Sequence, residues 1–140
     1  MSKITKVIAR QVFDSRGNPT IEAEVFANNM KARAISPSGA STGTHEAYEK
    51  RDKSNKRYLG KSVFKAVKLI NTIISKKLKN QNIHNQEKID YILIKLDGTK
   101  QKKKFGANAL LAVSMAVKKL SARIKKTPLY KTFLIKKNFK

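Results

Sequence analysis

The sequence predicts an α+β fold in which a three-stranded antiparallel meander is followed by a helical bundle. β-Branched and alternating apolar residues are concentrated within about residues 3–35, whereas apolar residues recur at spacings of three and four between about 61 and 134. Strands and helices therefore do not alternate along the chain, which favours an α+β fold over a parallel α/β sheet. A polar stretch, residues 36–46, follows the last predicted strand.

Three runs in the first part of the chain have the character of strands. The first, residues 3–13, is rich in isoleucine and valine and stops at residues 14–19 (DSRGNP), where all residue types but the arginine favour turns. The second run alternates apolar residues that can share one buried face: Ile21, Ala23 and Val25. Asn28 and Asn29 can adopt the positive φ angles of a tight hairpin, so residues 31–35 are predicted to return as the third strand.

Three helices are predicted from apolar residues at helical spacing. The first has an apolar stripe made of Val63, Val67, Ile70, Ile74 and Leu78. The second has an apolar stripe made of Ile89, Ile92, Leu93 and Leu96. Asn85 is its predicted N-cap, Glu87 lies in its first turn, and residues 97–99 end it. The third helix, residues 107–125, has a predicted inward face made of Ala109, Val113, Ala116, Val117, Leu120 and Ile124.

The polar stretch 36–46 (SPSGASTGTHE) combines small hydroxyl side chains with two glycines. Such residues let a backbone approach a ligand closely, so the stretch is a candidate lid or binding loop. A flexible linker of the same composition is the alternative that composition alone leaves open.

Length and residue usage narrow the class of protein. A chain of 140 residues has the size of a single domain with a modest core. Because it contains no cysteine, a disulfide framework and a thiolate metal site are excluded. No apolar run reaches the length that spans a bilayer, and the N-terminus lacks the apolar segment of a signal peptide. A cytoplasmic protein without a membrane partner is therefore expected.

The formal net charge of +23 indicates attraction to polyanions such as RNA. The cationic residues are mostly lysines scattered over nearly every segment, however, and solvated helix faces explain them equally well. The few aromatic residues mostly fall at positions predicted to lie in the core, where they could not stack on bases. RNA binding is therefore expected to be non-specific at most.

Six motifs resemble those of enolases, in the order and at the spacing of that family, and the resemblance covers essentially the whole chain. They are DSRGNPT at 14–20, PSGASTG at 37–43, YLGK at 58–61, LDGT at 96–99, FGANA at 105–109 and PLY at 128–130. The resemblance implies the fold of the enolase N-terminal domain. It also implies an enzyme of glycolysis that interconverts 2-phosphoglycerate and phosphoenolpyruvate, using two Mg²⁺ ions and a lysine base.

The same resemblance implies which residues of this chain approach the substrate. The family's mobile catalytic loop matches seven residues here: Ser38, Gly39, Ala40, Ser41, Thr42, Gly43 and His45. Ser41 would supply hydroxyl and carbonyl oxygens to the second Mg²⁺, the one metal of the pair that would touch this domain. Gly39, Ala40 and Gly43 would let the backbone close over the substrate, and His45 would lie near the substrate in the closed form.

Two strand residues, Arg10 and Glu22, match positions that form ion pairs across the homodimer interface of enolases. Exposed strand charges of little energetic weight are the alternative interpretation. The acidic residues Glu46, Glu49 and Asp52 are interpreted as a solvated face rather than a metal cage, and His84 matches no functional position.

In the enolase family this domain is a lid on a larger (β/α)-barrel. That barrel carries the carboxylates of the first metal site, the lysine base and the acid glutamate, none of which matches any residue here. No catalytic residue is therefore predicted within these 140 residues, and the chain alone is expected to be inactive. Three interpretations follow: the N-terminal part of an enolase, a non-catalytic remnant that binds RNA or another anionic partner, and a lid that docks on a barrel encoded elsewhere. The retained PSGASTG loop favours the first.

Overall fold

A computed structural model of the chain describes residues 2–38, 43, 45–53 and 56–133. Three strands form one antiparallel sheet in the order β1-β2-β3, with β1 at Lys6–Phe13, β2 at Pro19–Ala27 and β3 at Met30–Ile35. Helices follow the sheet in the chain, which confirms the α+β fold and the meander predicted from the sequence.

The two turns of the meander form as their residue types predict. Asp14 accepts hydrogen bonds from the backbone N–H groups of Arg16 and Asn18, both at 2.9 Å, and Gly17 has a φ of +74°. Asn28 and Asn29 connect β2 to β3 with φ angles of +50° and +56°, which are the positive values that a tight hairpin requires. The two turns, together with the buried face, therefore fix the register of the strands.

The first strand begins later than the sequence suggests. Regular pairing starts at Lys6, opposite Phe26, whereas Lys3 makes an isolated antiparallel bridge with Asn82. The apolar Ile4 is fully buried although it lies outside the strand. Burial of this residue, rather than strand pairing, accounts for the apolar character at the start of the chain.

The helical part begins with a 3-10 turn at Tyr58–Gly60 and a helix of three consecutive segments. These are α1 at Phe64–Leu69, a π-helical segment at Ile70–Ile74 and α2 at Ser75–Leu78. The predicted apolar stripe is confirmed, because Val63, Ile70, Ile74 and Leu78 are fully buried and Val67 is half-buried. Within the π-helical segment, Asn71 reaches β1 and bonds to both backbone groups of Ala9.

Two longer helices complete the domain, α3 at Gln86–Asp97 and α4 at Ala107–Ile124. The predicted N-cap is confirmed, since the Asn85 side chain accepts a hydrogen bond from Lys88 N at 3.0 Å. Gly98 ends α3 in the left-handed conformation, with φ at +67°. A 3-10 segment at Leu129–Phe133 follows α4.

The core lies between the sheet and α4, which packs against β2 and β3, while α3 packs against α4. All predicted inward residues of α4 are buried except Ile124, which is half-buried.

The prediction that most aromatic residues belong to the core is wrong. Phe105 is buried, but six others are exposed: Phe13, Tyr58, Phe64, Tyr91, Tyr130 and Phe133. Most of them lie at element ends or on outer helix faces, where an aromatic ring covers surface without entering the core. Among the described residues, no helix is both long and apolar enough to cross a membrane.

Candidate functional site

The segment that enters the predicted loop is held by backbone and hydroxyl groups of β2. Ser36 donates its backbone N–H to Ile21 O at 2.9 Å, which continues the pairing of β3 by one residue. The hydroxyl of Thr20 donates to the carbonyl oxygen of Ser36 at 2.6 Å. Ser36 is 1% exposed, so the loop departs from a fixed, buried point.

Two residues farther on, the hydroxyl of Ser38 is bound by the turn between β1 and β2. It donates to Asp14 Oδ2 at 2.9 Å and accepts from Arg16 Nη2 at 3.1 Å. The backbone N–H of Asn18, with the Ser38 hydroxyl, the backbone N–H of Arg16 and its charge, lowers the pKa of Asp14 below its ordinary value. The carboxylate therefore stays ionised at neutral pH and keeps Ser38 in place.

Four of the seven predicted loop residues, Gly39, Ala40, Ser41 and Thr42, lie outside the described residues, and so does the metal ligand expected at Ser41. Gly43 is exposed, and its carbonyl oxygen accepts from Glu46 N at 3.3 Å. His45 is also exposed and lies in a turn. It borders a cleft of about 480 Å³, together with Thr99, Lys100, Gln101 and Lys103 from the segment after α3.

Residues 46–53 leave the loop without forming a helix or a strand, and we call them the exit segment. The backbone N–H of Tyr48 donates to Gln101 O at 2.7 Å, and its carbonyl oxygen accepts from Ala107 N at 2.8 Å. At Lys50, the Asn108 side chain accepts from the backbone N–H at 3.0 Å and donates to the carbonyl oxygen at 3.1 Å. The exit segment is thus held against the connection between α3 and α4.

A buried carboxylate organises that connection. Asp97, which is 3% exposed, accepts hydrogen bonds from the backbone N–H groups of Thr99 and Phe105 and from the Thr99 hydroxyl. Burial raises the pKa of Asp97, but the Thr99 hydroxyl and the two N–H groups outweigh it, so that the pKa is lowered overall. The Thr99 hydroxyl in turn accepts from Lys103 N at 2.7 Å.

Gly106 permits the close approach of the exit segment to α4. Its φ of +91° is disfavoured for any residue with a side chain. A Cβ at this position would lie 2.4 Å from Asn108 Oδ1, 2.5 Å from Lys50 Cβ and 2.8 Å from Lys50 N. Gly106 and Asn108 therefore act together on the same residue of the exit segment.

Two acidic residues of the exit segment serve the fold, so their interpretation as a solvated face is wrong. Glu49 pairs with Arg51 at 3.1 Å, and Arg51 also donates to Pro19 O and Lys61 O. The Asp52 carboxylate accepts from Phe64 N and Lys65 N, both at 3.0 Å, and so satisfies free N–H groups at the start of α1. The sequence pattern does not predict this role, because the partners of Asp52 lie twelve and thirteen residues away along the chain.

The structure places Arg10 and Glu22 opposite one another on β1 and β2, where they form a salt bridge of 2.9 Å within one chain. Arg10 also bonds to Glu24 at 3.0 Å, and Lys31 reaches Glu24 at 3.1 Å. Lys31 and Arg10 lower the pKa of Glu24. Glu22 is 5% exposed, so the interpretation of both residues as exposed strand charges is wrong for the glutamate.

His84 contacts Ser121, with Nδ1 at 2.9 Å from the hydroxyl, and burial lowers its pKa. Ser121 lies on α4, and the backbone N–H of His84 donates to Asn82 Oδ1 at 3.0 Å. In the part of the chain that the structure describes, no three histidine, aspartate or glutamate side chains are grouped so that they could hold a metal ion.

Comparison with known proteins gives one family and closely similar relatives. The family model described as enolase, N-terminal domain, matches residues 4–133. An enolase of Pelagibacter ubique (strain HTCC1062) is 70% identical over 140 residues, which is 100% of this chain and 34% of the relative. An enolase of Methanosarcina mazei is 53% identical over 131 residues, which is 94% of this chain and 31% of the relative. The chain thus spans about a third of the length of these curated relatives.

Proposed function

Because the chain belongs to the enolase family and matches its N-terminal domain, we propose that it is the N-terminal part of a glycolytic enolase. That enzyme is a carbon–oxygen lyase that interconverts 2-phosphoglycerate and phosphoenolpyruvate plus water. The proposal places the protein in the cytoplasm, where glycolysis supplies its substrate.

The observation that carries this proposal is that both flanks of the predicted substrate loop are attached to the folded domain. Ser38 is bound by Asp14 and Arg16 before the loop, and Lys50 is bound by Asn108 after it. A linker would need neither attachment, whereas a loop that must reach a substrate repeatedly in one geometry needs both. The loop residues proposed to approach the substrate are Ser38, Gly39, Ala40, Ser41, Thr42, Gly43 and His45.

Magnesium would stabilise the charge that develops when a weakly acidic proton next to a carboxylate is removed. Among the described residues the carboxylates do not fit a complete site, because Asp14, Asp52 and Asp97 already bond to backbone N–H groups of the fold. The contribution proposed for this domain is limited to the oxygens of Ser41 on the second Mg²⁺. The lysine base and acid glutamate are proposed to lie outside these 140 residues.

A homodimer contact through Arg10 and Glu22 belongs to the same proposal. The side chain of Arg10 is 45% exposed, and it already bonds to two carboxylates of β2. Arg33, 69% exposed, lies 3.8 Å from Glu22. A charge from a second subunit could therefore join this network without breaking the existing salt bridges.

The proposed function is tested with the whole polypeptide that the gene encodes, assayed for 2-phosphoglycerate dehydration with Mg²⁺. We expect turnover by the whole polypeptide and none by the 140-residue chain alone. Ser41→Ala should raise the Mg²⁺ concentration that half-maximal activity requires and lower turnover, with an unchanged circular dichroism spectrum. Ser75→Ala is the matched control, since that hydroxyl bonds to the helix backbone at Asn71 O. Absence of turnover in the whole polypeptide would exclude the proposal, and an unchanged Mg²⁺ dependence would remove Ser41 from the site.

Non-specific RNA binding is a second candidate function. It is favoured by exposed aromatic rings that each have a lysine ammonium group close to the ring face. Lys95 lies 5.8 Å from the centre of the Tyr91 ring, and Lys118 lies 4.9 Å from that of Phe133. Such pairs can stack on bases while neutralising phosphates. If RNA binding is a function of this chain, single-stranded RNA should stay bound at physiological salt. Release at that salt concentration would exclude this function and leave only the weak non-specific attraction of scattered lysines.

A further inference from the structure

The exit segment directly follows His45 and has no helix or strand to hold it in shape. Its backbone bonds to the α3–α4 connection at Tyr48 and to the side chain of Asn108 at Lys50. Farther along, Asp52 N donates to Ser62 O at 2.8 Å. Its geometry is therefore determined by a few separate attachments, each of which can be altered singly.

Of the two attachments nearest to His45, at Tyr48 and at Lys50, the one at Lys50 depends on the identity of a single side chain. The carboxamide of Asn108 bonds to both the N–H and the carbonyl of Lys50, so it fixes the orientation of that peptide as well as its distance from α4. Asn108 is 5% exposed and lies in the first turn of α4, whose packing against β2 and β3 holds it in place. The bonds at Tyr48 join backbone to backbone and do not depend on a side chain in this way.

We propose that Asn108 is a positioning residue for substrate binding, because it fixes the exit segment, which directly follows His45, the residue proposed to approach the substrate. Asn108 itself touches no substrate, and it acts through Lys50 and the residues between Lys50 and His45. This inference rests on the proposed enolase function. It adds a residue on α4, outside the substrate loop, to those on which that function depends.

A second asparagine of the chain supplies a matched control. Asn71 accepts from the backbone N–H of Ala9 at 2.7 Å and donates to the carbonyl of Ala9 at 3.0 Å, which is the same pair of bonds. Ala9 lies in β1, however, and has no contact with the exit segment among the described hydrogen bonds. Asn71→Ala therefore removes the same two hydrogen bonds at a position that is not bonded to the exit segment.

The experiment compares Asn108→Ala, Asn108→Asp and Asn71→Ala in the whole polypeptide. We expect Asn108→Ala to lower kcat/KM for 2-phosphoglycerate by about tenfold or more, since small displacements of a reactive geometry have large kinetic effects. Asn108→Asp keeps an acceptor for the N–H of Lys50 and should recover part of the loss. Asn71→Ala should leave kcat/KM within about twofold of the wild type. Equal losses in Asn108→Ala and Asn71→Ala would overturn the proposal.

A double-mutant cycle tests the route through His45. If Asn108 acts by placing His45, the double variant Asn108→Ala/His45→Ala should be no slower than His45→Ala alone, because the second change removes what the first one positions. Losses that multiply, or a wild-type rate for His45→Ala, would overturn this route.

Hydrogen exchange tests the attachment itself. Residues 46–50 are expected to exchange faster in Asn108→Ala than in Asn71→Ala, whether or not the polypeptide is an enolase. Normal exchange in both variants refutes the inference, whereas absence of wild-type turnover refutes the proposed function.

Discussion

Asn71 and Asn108 make the same two hydrogen bonds to a single backbone residue, yet they do so in different surroundings. Asn71 binds Ala9, which is already placed by its pairing with β2, whereas Asn108 binds Lys50 in a segment without regular structure. The role of a hydrogen bond therefore depends on what else fixes the position of the residue that it holds. At Ala9 the bonds add stability to a strand, and at Lys50 they determine where a segment lies.

The two asparagines also differ in how far they are buried. Asn108 is 5% exposed, while Asn71 is an exposed residue on the π-helical segment. Water can therefore replace the Asn71 carboxamide at Ala9 more readily than it can replace Asn108 at Lys50. Loss of a buried partner costs more than loss of an exposed one, since the remaining group stays desolvated.

The largest effect is expected at Gly106, and it tests whether the exit segment must lie this close to α4. Gly106→Ala introduces a Cβ within 2.8 Å of Lys50 N at a φ of +91°, so we expect a loss of about 3 kcal/mol or more in the free energy of unfolding. Gly17→Ala is the matched control. Its φ is +74° but no atom lies within 4 Å of the added Cβ, so a loss of about 1 kcal/mol is expected. Urea unfolding measures both, and similar values would show that the close approach is unimportant.

The next largest effect concerns the two asparagines themselves. We expect Asn108→Ala to lower the free energy of unfolding by about 2 kcal/mol, because it removes a carboxamide that is 5% exposed together with both of its hydrogen bonds to Lys50. Asn71→Ala should cost about 1 kcal/mol, since the carboxamide that it removes belongs to an exposed residue. Thermal and urea unfolding of the two variants measure this difference. A larger loss for Asn71→Ala would reverse the order that burial predicts.

An effect smaller than that of Asn108→Ala depends on pH and involves Asp97, whose hydrogen bonds shape the loop that receives Tyr48. The pKa of Asp97 is lowered in the folded chain, so the carboxylate contributes stability that is present above its ordinary value of 3.8 and is lost as the pH falls through the folded pKa. Asp97→Asn should therefore cost about 1.5 kcal/mol at neutral pH and progressively less below pH 3.8. Urea unfolding over this range measures the difference, and a cost independent of pH would show that the charge has no part in it.

Local patterns in the sequence predicted much of the fold. The hairpin at Asn28 and Asn29, the cap at Asn85 and the buried stripe from Val63 to Leu78 all depend on residues close together in the chain. The π-helical segment was not predicted, because its apolar spacing is that of an ordinary helix. The aromatic residues were misassigned because hydrophobicity alone does not distinguish a core position from an outer helix face.

The candidate site could be predicted only in outline. Family motifs identified residues 38–45, but the groups that hold their flanks come from distant segments: Asp14 is 24 residues from Ser38, and Asn108 is 58 residues from Lys50. Asp14 belongs to the motif DSRGNPT and Asn108 to the motif FGANA. Neither motif predicts which group its side chains bind. An asparagine directly after a helix start and two residues after a glycine is a signal that could have drawn attention to Asn108.

Asn71 also has a consequence for the behaviour of many copies of this protein at high concentration. Strand β1 is an edge of the sheet, and its outward N–H and carbonyl at Ala9 would otherwise offer a template for a strand from another molecule. With both groups occupied by one side chain, a foreign strand cannot pair at that point without first displacing the carboxamide. A single asparagine thereby occupies one pair of hydrogen-bonding groups on the β1 edge that a foreign strand would need.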